Sequence, residues 1–306
     1  MTTALALALS ACGGVSAGDR ETVTVTVTAP PSTASTTAMP SIAAMPSNTP
    51  APTASGSRSP ATTPWPTAVA REAEAFTEGF EAMRRRLSGS AGIALMPVGG
   101  GRVLRAGVND PEVAWSISKV PLALAALRNS RGQATQADVT ISIRDSDNPA
   151  AARLWSGLGQ GPTAARAMEA VLRASGDATT EVPPGRSRPP FSSFGQMQWR
   201  NADAASFAAH LPCQPEAGVV LSHMRRVSQT QQWGFWAVEG AAVKGGWGPI
   251  DSEYLVRQIA VVPVAGGGSV GTSISVLAPT FEQGTRDLTE IAEWAAAFAE
   301  PMGAGC

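Results

Sequence analysis

The chain has 306 residues, 43% of them hydrophobic, so it can bury a full-sized core as one large domain or two small ones. Its formal net charge of −1 leaves no basic footprint for nucleic acid. The 2 histidines, His210 and His223, stand apart without a paired spacing, which excludes a zinc site built on imidazoles.

The N-terminus reads MTTALALALSACGG. Its apolar run, Ala4 to Leu9, is too short to cross a bilayer as a helix and leads into small residues and Cys12. Leu9-Ser10-Ala11-Cys12 resembles the lipobox of bacterial lipoproteins. That resemblance implies a signal peptide over residues 1–12, export, and lipidation of Cys12. The chain would then be anchored to the outer face of the bacterial cytoplasmic membrane, for which two acyl chains suffice. One departure is that no lysine or arginine precedes Cys12, although a secretory leader usually starts positive.

Residues 13–66 carry charge only at Asp19, Arg20, Glu21 and Arg58; the rest is mostly Thr, Ser, Ala, Pro and Gly. Such a segment lacks the apolar mass to offset its ordering entropy and reads as a disordered tether. Within it TVTVTVT has a strand pattern but nothing adjacent to cover it. Gly14-Val15-Ser16-Ala17-Gly18 matches a nucleophile elbow by letter alone, without the strand and helix that motif needs.

From Thr67 the pattern becomes that of a folded domain, residues 67–306. Phe76, Phe80, Met83 and Leu87 recur at helical spacing and predict a helix over about 67–87. GIALMPV and RVLRAG, joined by three glycines, predict a hairpin. A mainly helical stretch follows from Ser116 to about 225. Strand patterns return in GAAVKGG, YLVRQIAVVPV and TSISVLA. A last helix places Leu288, Ile291, Ala295 and Phe298 on one stripe. The order predicts an α+β domain: one antiparallel five-stranded sheet flanked by the terminal helices, beside an all-helical subdomain. Gly266 to Gly271 matches a dinucleotide fingerprint, but a strand follows where a helix is needed, so it reads as a hairpin turn. With Cys12 set aside, Cys213 and Cys306 form an even pair, which in an exported protein predicts a disulfide.

Candidate chemistry begins with a compositional oddity. Of 23 lysines and arginines only two are lysine, Lys119 and Lys244. Arginine cannot give up its proton inside a protein, whereas a desolvated lysine can act as a base. Ser116-Ile117-Ser118-Lys119 is the sole S-x-x-K of the chain, and in a helix starting near Ser116 residues three apart share a face. Ser146-Asp147-Asn148 precedes Pro149; read by itself it is a helix N-cap with a solvated aspartate. Lys244-Gly245-Gly246 lies near the end of a predicted strand, where a lone lysine ordinarily guards an edge.

Ser-x-x-Lys, Ser-Asp-Asn and Lys-Thr-Gly in that order mark class A β-lactamases and penicillin-binding proteins. The chain carries the first two intact and Lys-Gly-Gly for the third, and residues 67–306 resemble that family in element order as well. The resemblance implies the class A β-lactamase-like (DD-peptidase) fold with no cofactor and no metal. It implies that Ser116 is the acylated nucleophile and Lys119 the base that takes its proton. Lowering a lysine from ~10.4 to ~7 costs about 4–5 kcal/mol, which burial and the charge of Lys244 would supply. Ser146 would return the proton to the leaving nitrogen, and Asn148 would hold Lys119 and a substrate amide. Lys244, with Gly245 and Gly246, would attract a substrate carboxylate. The backbone N–H groups of Ser116 and Trp247 would form the oxyanion hole. Arg257 resembles a strand arginine that helps bind carboxylate in some members. The implied partners are a peptidoglycan peptide or a β-lactam-like small molecule, with the chain acting as a monomer.

Three departures accompany the resemblance. Gly245 replaces the hydroxyl residue of the third motif. The interval from Ser116 to Ser146 is shorter than usual, which removes part of one cleft wall. The Glu-x-x-Leu-Asn loop that activates deacylating water is missing; Glu181 stands near its place, in EVPPG, and reads as an ordinary loop acid. Two functions follow: a surface serine hydrolase that deacylates slowly, or a catalytically degenerate lipoprotein that binds cell-wall peptides or a protein partner.

Overall fold

Phe76, Phe80 and Met83, spaced to fall on one side of a helix, are all buried and build α1 (Thr67–Arg84). It ends at Arg84, short of the predicted residue 87. The structure is a computed structural model that describes residues 67–129 and 136–306. The expectations for the leader, Cys12, the tether and Gly14–Gly18 fall outside the described residues.

β1 (Ser90–Pro97) and β2 (Leu104–Gly107) form the expected hairpin. Gly99, Gly100 and Gly101 between them all have φ in the left-handed region that favours glycine. A two-residue strand, β3 (Glu112–Val113), leads into a 3₁₀ turn, Trp115–Ser118, and then into α2 (Lys119–Asn129). Every residue of α2 from Lys119 to Leu127 is buried, as expected of a helix apolar on all sides at the centre of a bundle. α3 (Gln136–Arg144), α4 (Asn148–Gly157) and α5 (Gly161–Ala174) pack around it. An irregular segment then runs to β4 (Gln198–Trp199), which pairs with β3 in a small second sheet. The sequence pattern does not announce this pair.

α6 (Asn201–His210) and α7 (Ala217–Met224) complete the helical layer. α6 rests directly on the main sheet, because a Cβ at Gly271 would lie 2.1 Å from Ala209 N. β5 (Ala242–Ile250), β6 (Glu253–Pro263) and β7 (Ser269–Ala278) form a meander, and the five-stranded sheet has the order β2-β1-β7-β6-β5, all antiparallel. α8 (Phe281–Ala299) closes the chain.

Strand alternation divides the core in two. Ala242, Ile259 and Val261 face the helical layer, while Val243, Val256, Ala260 and Val262 face the terminal helices. There Phe76 meets Trp294 and Phe298 at ring-centroid distances of 5.0 and 5.1 Å. Fully burying Phe76 contributes about 1.5–3 kcal/mol, and Trp294 and Phe298 pack half-buried against it. The helical region is thus one layer against the sheet, sharing its core with the inner faces of β5 and β6. Cys213 and Cys306 form the expected disulfide, with Cα atoms 5.5 Å apart. Ala304 also pairs with Ser269.

Candidate active site

Ser116 occupies the second position of the 3₁₀ turn, and Lys119 opens α2 immediately after it. Residues three apart eclipse in a 3₁₀ turn, a closer alignment than the α-helix expected from sequence. Both side chains line the same cleft of about 380 Å³. The turn starts from Trp115 at φ 50°, a conformation costly for a bulky residue. Ser118 Oγ braces it by donating to Trp115 O at 2.6 Å.

Lys119 Nζ donates to Ser146 O at 2.5 Å and to Asn148 Oδ1 at 2.7 Å, and lies 3.2 Å from Ser146 Oγ. The two fixed acceptors hold two N–H bonds, leaving the third position of the nitrogen, proton or lone pair, for a hydroxyl. Ser146 reaches it with φ at 56°, and Asp147 caps α4 by accepting from Ala150 N at 2.6 Å. The N-cap reading of Ser-Asp-Asn is met by Asp147, while Ser146 and Asn148 both contact Lys119. Lys244 Nζ lies 3.0 Å from Ser146 Oγ and donates to Gln231 Oε1 at 2.5 Å and Gly245 O at 2.7 Å.

Burial pushes Lys119 down to about 8, with Asp147 opposing the shift. Burial and the neighbouring charge of Lys119 hold Lys244 well below the usual lysine range. Both effects disfavour two positive charges on the pair. Among the described residues Lys244 has no exposed surface and is absent from the cleft lining, so it acts on the site through Ser146.

The glycines after Lys244 are dictated by contacts. A Cβ at Gly246 would lie 2.8 Å from both Ser116 N and Ile117 N, so only glycine lets β5 approach the turn that carries Ser116. A Cβ at Gly245 would lie 2.6 Å from Trp233 Cζ2, so the Trp233 ring fills the place of the family's hydroxyl side chain. β5 is an edge strand, and Gly245 N–H donates to Gln231 Oε1 at 3.2 Å, away from the sheet. By the two-residue period Trp247 N–H points to the same free edge, and Trp247 lines the cleft. This orientation suits the oxyanion role expected of it.

The opposite wall comes from Arg186, Pro190, Phe191, Ser192, Phe194 and Gly195. Arg188 lies over the rings of Trp115 and Phe191, at 5.9 and 5.6 Å. One sequence assignment falls away from the cleft. Arg257 is fully buried and donates to Glu112 O at 2.9 Å and Asn201 Oδ1 at 3.2 Å, so it ties β3 and α6 to β6 and does not bind substrate. Glu181 is exposed beside a separate groove with Glu169 and Pro184, as expected of a loop acid. Gln231, Trp233, Trp115 and the 186–195 wall were not found from sequence. Only the density of Gln and Trp in QTQQWGFW hinted at the first two.

No protein-family model and no curated protein matches the sequence. Solved structures do match in shape. The TLA-3 extended-spectrum β-lactamase is similar at TM-score 0.60 and 10% identity, over 74% of this chain and 98% of that one. A β-lactamase from Burkholderia vietnamiensis gives 0.58 and 16%, over 73% and 96%. A class A β-lactamase from Mycobacterium abscessus gives 0.57 and 16%, over 73% and 98%. With its sheet order, its helical layer and these likenesses, the chain has the class A β-lactamase-like fold.

Proposed function

We propose that this is a lipid-anchored surface serine hydrolase, acylated on Ser116 by β-lactams, D-Ala-D-Ala peptides or related amides and esters. The observation that carries this reading is the shared cleft of Ser116 and Lys119, with Lys119 joined to Lys244 through Ser146. Neutral Lys119 accepts the Ser116 proton as Oγ bonds to the acyl carbon. The developing oxyanion is held by the N–H groups of Ser116 and Trp247, a donor pair whose single members are worth about 2.7–4 kcal/mol elsewhere. The carbon–heteroatom bond then breaks, and the leaving atom receives the proton through Ser146. Water completes the cycle by releasing the acid and restoring the serine.

That last step is slow in this reading. Among the described residues lining the cleft there is no carboxylate to activate the water. The test is intact-mass analysis of the full chain with a penicillin and, in parallel, an alkyl fluorophosphonate. A Ser116→Ala variant serves as the control. A persistent adduct that needs Ser116 supports the reading. Rapid consumption of the penicillin without a lasting adduct points to a true lactamase with another water-activating group. Labelling by neither reagent refutes an acylating serine.

A further inference from the structure

The carboxylate end of the cleft is filled from inside the protein. The two groups that would receive an anion there, Lys244 Nζ and Gly245 N–H, both donate to one oxygen, Gln231 Oε1, at 2.5 and 3.2 Å. Gln231 is itself fixed, buried and donating through Nε2 to Arg144 O at 2.7 Å and Ile143 O at 3.2 Å. Lys244 spends its remaining contacts on Ser146 Oγ and Gly245 O. A third donor, the hydroxyl of the family's motif, is missing, and the Trp233 ring stands where its side chain would be. Trp233 is not free to swing away. Its Nε1 donates to Thr230 O at 2.9 Å, its carbonyl accepts from Gln258 Nε2 at 2.6 Å, and its ring packs edge-on against Trp247 and Phe281.

A carboxylate arriving here would have to displace Gln231 from a buried lysine and would meet an indole face in place of a hydroxyl. Displacement would leave the buried Gln231 carbonyl without its donors, which works against binding. Besides Ser116, Lys119 and Asn148, the cleft offers a ligand the aromatic surface of Trp115, Phe191, Phe194 and Trp247, with Ser192 and the Arg186 side chain on the opposite wall. Resting on the acylating-serine reading above, we propose that Gln231 and Trp233 are specificity-determining residues. They obstruct the carboxylate subsite, so that, among the acyl donors of that reading, the cleft prefers those whose leaving group is uncharged over those that carry a carboxylate.

The experiment uses the full chain and a matched pair of phenylacetyl thioesters, one with mercaptoacetic acid as leaving group and one with its methyl ester. In each case Ser116 Oγ bonds to the acyl carbon, the C–S bond breaks, and the thiol departs with the proton lost by the serine. Rates of adduct formation are followed by intact mass and corrected for each compound's reaction with hydroxide. The methyl ester is expected to acylate Ser116 faster by about tenfold, the equivalent of ~1.4 kcal/mol. A corrected preference for the free acid overturns the proposal. The double variant Trp233→Ala/Gly245→Thr, which reinstates a hydroxyl in a vacated space, is expected to move the ratio toward the acid. The wild-type ratio decides the matter even if that variant does not fold. An absence of Ser116-dependent adduct from both thioesters and from the fluorophosphonate refutes the acylating-serine reading itself, and the proposal falls with it.

Discussion

Lys119 and Lys244 meet through a single oxygen, Ser146 Oγ, which lies 3.2 Å from one nitrogen and 3.0 Å from the other. Two ammonium groups sharing one acceptor in a buried site repel, and the pair relieves this by shedding a proton. Lys119, with its value near 8, is the member that lines the cleft. Acylation of Ser116 by a neutral thioester should therefore rise with pH through a midpoint near 8 and level off more than a unit above it. Stopped-flow quench with mass detection across pH 6–10 measures this. A rate that is flat or falling over pH 7–9 would remove Lys119 as the base.

The same shift has a consequence for stability, opposite in sense to that of a salt-bridged group. The folded state holds the Lys119 proton less tightly than the unfolded chain, whose lysine titrates near the ordinary 10.5. Below pH 8 both states carry the proton and the full cost of burying the charge is present. Between pH 8 and 10.5 the folded state has released it while the unfolded state has not, so this group's contribution raises stability with pH. The gain is about 3 kcal/mol at most over the window. Comparing urea unfolding of the wild type and Lys119→Met at pH 7 and pH 10 isolates it. The variant should show a smaller rise, the remainder coming from Lys244, which burial also holds below the usual lysine range.

Ser146→Ala separates proton return from nucleophile activation. A thiolate leaves without help, whereas an amine needs a proton, so the variant should retain most of its thioester acylation. Acylation by an amide or β-lactam should fall by about 10²–10⁴-fold, the usual worth of positioned general acid catalysis. Equal losses with both donors would show that the Ser146 hydroxyl only positions Lys119, through the contact at 3.2 Å.

What could be read from the sequence was whatever depends on spacing along the chain. The S-x-x-K turn, the N-cap at Asp147 and the stripes of α1 and α8 all follow from short-range periodicity, and the scarcity of lysine singled out both active-site cations. What stayed hidden depends on side chains from distant segments competing for one volume. Gly245 looked like a lost hydroxyl, but it is the vacancy into which Trp233 packs. Arg257 sat in a suggestive strand, yet its donors point to the carbonyl of Glu112 and to Asn201. The 186–195 wall has no repeating pattern to read, being irregular between α5 and β4.

Gly246→Ala should be the most damaging one-carbon change in the cleft. The added methyl would lie 2.8 Å from Ser116 N and 2.9 Å from Ala114 O, both backbone atoms that cannot turn aside. Overpacking of this kind costs about 1–3 kcal/mol. Shifting the oxyanion donor should also slow acylation by about 10²–10³-fold. Gly157→Ala, at the end of α4 with nothing within 4 Å, is the matched control and should leave both quantities unchanged. Equal behaviour of the two variants would mean that β5 and the nucleophile turn are not held in register as described.

The disulfide should bear on stability without touching chemistry. Cys213 and Cys306 are 93 residues apart, and neither lines the cleft. Closing so long a loop contributes up to ~4 kcal/mol in the chain-entropy model, with typical measured values of about 2–4. Part of that loss is offset in the reduced chain, because the Ser269–Ala304 bridge still ties the C-terminus to β7. Cys213→Ser/Cys306→Ser should thus lower the urea midpoint by the equivalent of about 2–4 kcal/mol. Its Ser116 acylation rate under folding conditions should match the wild type. A slowed rate in fully folded variant protein would instead reveal that the C-terminal tail sets the position of the α6 layer against the sheet, and through it the cleft.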